Sequence, residues 1–191
     1  MVKIVFIGRS NVGKSSTIRA LTGKKVKIGR RPGVTLKANE ISWGKVTIID
    51  MPGFGFLSGV DEKKQERIKD FIVRYLEEKK DISFAVQIID AKAFSEIKER
   101  WLNRGQIPLE IELFDFLNEL NLKPVVVANK IDKVEKGERD EVLDQICESL
   151  DLLPPWRQWR DVIVPFSAKT GEGLLDLKGL IRYRIQESKK S

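Results

Sequence analysis

This sequence predicts an α/β fold: one domain built on a six-stranded, mostly parallel sheet with helices on both faces. Three observations point there. Short β-branched runs alternate with longer stretches of helical period, the pattern of stacked βαβ units. The first apolar run passes directly into a glycine-rich turn, Gly8-Arg-Ser-Asn-Val-Gly13-Lys14-Ser15, of the kind that joins a buried strand to a helix. A chain of 191 residues with 41% hydrophobic content suits one full core rather than two.

Val2–Gly8, Val46–Asp50, Phe84–Asp90, Pro124–Ala128 and Val162–Pro165 read as strands, because each is a compact apolar run of the kind buried on both faces. Ala38–Trp43 is expected to pair with Val46–Asp50 as a hairpin through Gly44. Helices follow from apolar residues three and four apart: Ile68, Phe71, Ile72, Tyr75 and Leu76; Ile111, Phe114, Leu117 and Leu120; Leu143, Ile146 and Leu150. A last helix is expected over about 173–187, so the domain spans 1–187 and 188–191 forms a frayed tail. No repeat, low-complexity tract or linker interrupts it.

Composition excludes several chemistries. With no His, neither His-based catalysis nor His metal ligation is available, and proton transfer falls to carboxylates, Lys or water. The lone Cys147 excludes an internal disulfide, fits a reducing compartment, and reads as a small buried filler. The amino-terminal apolar run is too short for a signal peptide and stops at Gly8. Nothing approaches the roughly 18 apolar residues of a membrane span. The expectation is a cytoplasmic monomer without membrane contact.

The turn from Gly8 to Ser16 matches the pattern G-x-x-x-x-G-K-[ST], and its place between strand and helix is what that pattern requires. Gly8, Arg9, Ser10, Asn11, Val12 and Gly13 supply backbone N–H groups to curl around phosphates. The helix starting at Lys14, Ser15 and Ser16 points its positive end at them. Lys14 then reaches the β- and γ-phosphates, and Ser15 is placed to ligate Mg²⁺. The base is chosen by Asn129-Lys130-Ile-Asp132. A carboxylate at Asp132 accepts two hydrogen bonds from the guanine N1–H and amine, whereas adenine has no such paired donors on that edge. Asn129 suits the N7 side, Lys130 can lay its stem over the ring, and the Ser167-Ala168-Lys169 turn can offer an N–H to O6. The nucleotide is therefore GTP or GDP.

Between these motifs lie two segments suited to sensing the γ-phosphate: Gly33 and Thr35 in Arg31-Pro-Gly-Val-Thr35, and Asp50-Met-Pro-Gly53 at a strand end. Thr35 can add its hydroxyl to Mg²⁺, Asp50 can hold a metal-bound water, and the Gly53 N–H can reach the γ-phosphate. Hydrolysis removes these contacts and frees both segments. Lys14, Thr35 and Gly53 are the expected catalytic groups; no side chain reads as a general base.

The motif set resembles the Ras-like GTPase superfamily. Within it, Arg-Arg-Pro-Gly-Val-Thr35 with Asp-Met-Pro-Gly-Phe-Gly-Phe56 is similar to the EngB family, over nearly the whole chain. The resemblance implies a phosphate-loop GTPase domain that binds the large ribosomal subunit during assembly and serves normal cell division and septation. It also places Phe54 where efficient Ras-like hydrolases carry a water-orienting Gln. A phenyl ring cannot orient water by hydrogen bonding, so turnover no faster than roughly 10⁻⁴ s⁻¹ is expected without a partner or cation. Asn11 resembles an asparagine that helps relatives bind K⁺; alternatively it only stabilises its loop. The chain departs from the family at Val34, where a basic residue is usual, and in a longer, more charged stretch from Ala91 to Pro108.

The net charge of +7 and pI of about 9.4 make nucleic acid the default class of partner. Lys24, Lys25, Lys27, Arg30, Arg31 and Lys37 bracket the first switch, so nucleotide state can gate an rRNA-contacting surface, unless these cations serve the bound triphosphate. Pro154-Pro-Trp156-Arg-Gln-Trp159-Arg160 interleaves aromatics with cations, to stack on unpaired bases or to cover a core edge; Trp101 reads as packing. Three functions fit: a ribosome-assembly GTPase, a nucleotide-gated switch for a protein partner, and a housekeeping GTP hydrolase.

Overall fold

Alternation along a strand buried on both faces decides the architecture. In the computed structural model, which describes residues 2–24, 36–55 and 62–190, strand β1 (Val2–Gly8) sends Ile4 and Phe6 to one face and Val5 and Ile7 to the other, all fully buried. The sheet order is β2 (Asn39–Trp43), β3 (Val46–Asp50), β1, β4 (Ile82–Asp90), β5 (Val125–Asn129), β6 (Ile163–Pro165). Only β2 runs antiparallel, joined to β3 through Gly44 at φ 58°.

Helices cover both faces. On one, α1 (Lys14–Thr22) and α6 (Leu174–Glu187) bury Ile18, Leu21, Leu177 and Ile181 against Ile4, Phe6, Ile48 and Val127. On the other, α2 (Glu62–Glu78) and α4 (Leu109–Glu119) cover Val5, Ile7 and Ile49 with Ile72, Leu76, Leu113 and Leu117. The same face continues under α3 (Phe94–Leu102) and α5 (Arg139–Ser149), where Phe94, Leu143 and Ile146 meet Val126, Ala128 and Ile163. Each buried aliphatic or Phe side chain contributes about 1.5–3 kcal/mol. The stretch from Ala91 to Pro108 that looks long and charged in sequence contains the short helix α3, whose apolar positions Phe94, Ile97 and Trp101 recur at helical spacing. At the carboxyl end the chain keeps a turn past α6, with Lys190 on Glu187 at 2.9 Å.

The tryptophans of 156–160 cover a core edge. Trp156 is buried against α5, donating its indole N–H to Asp140 at 2.8 Å, and Trp159 packs on the same cluster. Cys147 is fully buried on α5, and burial pushes its thiol up to about 11. A neutral-pH thiol reagent should therefore label it only as fast as the protein opens. Because the folded-state value lies above the ordinary 9.0, the unfolded chain releases this proton first, and stability should fall as pH rises past about 9. Urea titrations from neutral pH upward on the native protein and a Cys147→Ala variant would isolate that loss.

Candidate functional site

Strand β1 ends in the loop, and two left-handed residues, Asn11 at φ 67° and Gly13 at φ 92°, curl the chain before α1 begins at Lys14. A Cβ at Gly8 would lie 2.6 Å from the Ile88 carbonyl oxygen, and one at Gly13 would collide with the Asn129 amide, so both positions require glycine. No side chain caps α1 and no acid sits in its first turn. Its end thus presents N–H groups and a positive dipole to the space over the loop, an arrangement suited to phosphate. Lys14 is buried and pairs with Asp50 at the end of β3. Ser15 and Ser16 follow it in the first turn of α1.

The Asp50–Gly53 segment is laced to this loop by backbone. The Met51 N–H donates to the Phe6 carbonyl at 3.1 Å, the Phe54 N–H to Gly8 at 3.4 Å, and the Ser10 N–H to Phe54 at 2.8 Å. A Cβ at Gly53 would lie 2.8 Å from Ser10 Oγ and 3.1 Å from its Cα, so the two segments meet at close range. Phe54 is buried among Val5, Ile7 and Met51.

A second cluster gathers beside the first. Asn129, buried at the end of β5, donates from Nδ2 to the Val12 carbonyl at 2.7 Å and accepts at Oδ1 from the Ala168 N–H at 3.0 Å. One amide thus ties the phosphate-type loop to the 167–169 turn. Lys130, left-handed at φ 65°, donates to the Asn11 carbonyl at 2.7 Å and pairs with Asp90 at 2.5 Å. Asp132 accepts from the Ser167 hydroxyl at 2.6 Å, and Ser167 Oγ accepts from the Thr170 N–H at 3.1 Å. Asn129→Ala would leave the Val12 carbonyl and Ala168 N–H unpaired, at about 1–3 kcal/mol each; thermal unfolding should show the loss and nucleotide titration a larger one.

The structure thus brings together the loop from Gly8 to Ser16, Asp50, Gly53, Asn129, Lys130, Asp132, Ser167 and Ala168, with Lys169 exposed at the rim. Gly33, Val34 and Thr35 lie outside the described residues, as do Lys25, Lys27, Arg30, Arg31 and Phe56. Sequence reasoning missed what Arg9 does: its guanidinium grips Glu110 of α4 with Nε to Oε1 at 2.5 Å and Nη2 to Oε2 at 3.0 Å, 5.5 Å from the Trp101 ring centre. The helical spacing of Phe94, Ile97 and Trp101 marks α3, but no local pattern marks Glu110 as buried.

The donors offered to a metal are a hydroxyl at Ser15 and a carboxylate at Asp50, hard oxygens of the kind Mg²⁺ prefers. Among the described residues no group of three or more His, Cys, Asp or Glu gathers that could hold a metal ion. Among the described residues, no helix is long and apolar enough to cross a membrane.

Comparison with known proteins gives the family and the fold. A family model described as "50S ribosome-binding GTPase" matches residues 3–130. The "Probable GTP-binding protein EngB" of Methanopyrus kandleri is 54% identical, the match covering 98% of this chain and 94% of that protein. Its counterpart of the same name in Pyrococcus abyssi is 47% identical over 98% of this chain and 87% of the relative. The crystal structure of "a probable GTP-binding protein engB" superposes with a TM-score of 0.89 at 46% identity, over 97% of this chain and 100% of that one. A more distant neighbour is Era in complex with MgGDPNP and nucleotides 1506–1542 of 16S ribosomal RNA. It has a TM-score of 0.63 at 25% identity, covering 94% of this chain and 55% of Era.

Proposed function

Because the chain belongs to the EngB family of GTP-binding proteins, which hydrolyse GTP, we propose that its nucleotide state controls attachment to the large ribosomal subunit during assembly. In this reading the protein also serves normal cell division and septation, as the family resemblance implies. The observation that carries the nucleotide assignment is Asn129, whose one amide joins the loop at Val12 to the turn at Ala168. Base and phosphate readers are thereby held as one unit.

In this reading the loop N–H groups and the end of α1 receive the phosphates, Lys14 neutralises charge on the β- and γ-phosphates, and Asp132 accepts from guanine. To do so Lys14 must leave Asp50 for phosphate. Ser15, Asp50 through water, and Thr35 would hold Mg²⁺, which supplies charge neutralisation on the triphosphate; the MgGDPNP bound by Era is consistent with that ion. The Gly53 N–H senses the γ-phosphate from its position against Ser10. Water attacks the γ-phosphorus in line, and Phe54, buried in the core, has no means of orienting it. Single-turnover hydrolysis should accordingly run no faster than roughly 10⁻⁴ s⁻¹ without a partner or cation. A faster rate in K⁺ than in Na⁺ would assign Asn11 to the cation, and equal rates would leave it a loop residue held at φ 67°.

The ribosomal partner rests on the family description, the net charge of +7, and the cations around the first switch, of which Lys24 and Lys37 are described. The test is co-sedimentation with large subunits in GDP and in a non-hydrolysable GTP analogue across a salt series. Tighter binding with the analogue is expected, with about 0.7–0.9 added to the salt slope for each phosphate neutralised. No binding in either state would redirect the switch to a protein partner.

A further inference from the structure

Arg9 stands in the phosphate loop, yet its side chain leaves the loop altogether. Its guanidinium forms a two-pronged pair with Glu110 at 2.5 and 3.0 Å, and the two side chains are only 11% and 3% exposed. Glu110 lies in the first turn of α4, where the helix dipole favours a carboxylate. The fully buried Gln87 of β4 fixes this helix start by donating to the Glu110 carbonyl at 2.7 Å. The guanidinium also sits 5.5 Å from the centre of the Trp101 ring of α3, within range for a cation–π contact. Arg9 is therefore anchored on α3 and α4 rather than within its own loop.

The other end of Arg9 is the part that matters to the nucleotide. Its backbone forms an isolated parallel bridge with Phe54, and the adjoining Ser10 N–H donates to the Phe54 carbonyl at 2.8 Å. Gly55, left-handed at φ 92°, lies against the Arg9 stem, where a Cβ would come 2.8 Å from Cγ. The Gly53–Gly55 segment is thus wedged between loop backbone and Arg9 side chain.

We infer that Arg9 is a positioning residue: its pair with Glu110 holds the loop and the Gly53–Gly55 segment in register, and so sets the preference for a triphosphate over a diphosphate. This rests on the reading that the Gly53 N–H meets the γ-phosphate. The α- and β-phosphates take their donors from the loop and the first turn of α1, which keep their own ties through Asn129 and Thr17. Loosening Arg9 therefore weakens the γ-phosphate contact selectively. Arg9→Lys keeps the charge but loses the rigid fork that matches a carboxylate.

The test is the ratio of affinities for a non-hydrolysable GTP analogue and for GDP, measured with fluorescent nucleotides on the full chain. In Arg9→Lys and Glu110→Gln the ratio should fall about tenfold, and in Glu110→Gln, which lies outside the loop, GDP affinity should hold within about twofold. Since a lone buried charge can cost folding, the Arg9→Met/Glu110→Leu double variant is measured beside them: replacing a buried ion pair by apolar groups of similar volume often preserves stability. It should melt near the native protein and still show the lowered ratio. Equal weakening of both nucleotides, an unchanged ratio in the single variants, or a native ratio in the apolar double variant overturns the inference. Gly53→Pro, which removes the N–H, tests the underlying reading separately: an unchanged ratio there beside a lowered ratio in Arg9→Lys removes Gly53 as the γ-phosphate sensor and leaves Arg9 in place.

Discussion

Asp132→Asn is expected to cut affinity for GTP and GDP by about 10²–10⁴-fold while admitting xanthine nucleotides. The carboxylate would accept from both the N1–H and the amine of guanine, and hydrogen bonds to a charged group contribute about 1.5–3 kcal/mol each. An Asn amide keeps one acceptor but turns a donor toward the guanine amine, where two hydrogen-bond donors face each other. Xanthine carries a carbonyl at that position and accepts from the amide instead. The pocket should survive the change, because the bond that holds Asp132 needs only an acceptor for the Ser167 hydroxyl at 2.6 Å, and the Asn oxygen serves. Competition titrations with GDP and xanthosine diphosphate give the answer directly. Loss of guanine affinity without any gain for xanthine would mean that the base sits elsewhere.

Lys14→Met should act twice. Removing the ammonium takes away the main neutralising charge for the β- and γ-phosphates, and nucleotide affinity is expected to drop by about 10²–10³-fold. It also strands Asp50, which is buried and paired with Lys14. Removing one partner of a buried pair costs about 3–5 kcal/mol, and in a domain of this size each kcal/mol lowers Tm by about 2–4 °C. Nucleotide-stripped protein should therefore melt about 6–20 °C lower. The Lys14→Met/Asp50→Leu double variant separates the effects: an apolar pair should restore most of the Tm and none of the binding. A single variant that melts like the native protein would show that the Lys14–Asp50 pair contributes nothing to stability.

Much of this domain was legible before any coordinates. The strands came through because buried parallel strands are continuous apolar runs, and the observed bounds differ from the expected ones by a residue or two, as at Ile82 and Ile163. The loop, Asn129-Lys-Ile-Asp132 and the 167–169 turn were legible because each motif combines residue types that few other tasks require together. Less legible was α3, whose Phe94, Ile97 and Trp101 stripe is interrupted by five charged or polar neighbours. Whether Trp156 would stack on RNA or cover a core edge could not be read from the chain at all, since both uses want an aromatic beside cations; the packing of α5 against β6 chose the second.

What the sequence determined by itself is the α/β architecture and the guanine-nucleotide motifs, because periodicity and motif spacing are local properties of the chain. What only the tertiary structure decided is which of those residues hold one another. Asn129 bridges Val12 and Ala168, Lys14 pairs with Asp50, and Arg9 turns from the loop to Glu110, 101 positions away in the chain. Such partnerships join groups far apart in sequence, and burial strengthens them by removing competing water. Their energies therefore depend on the packing of the whole sheet and its helices.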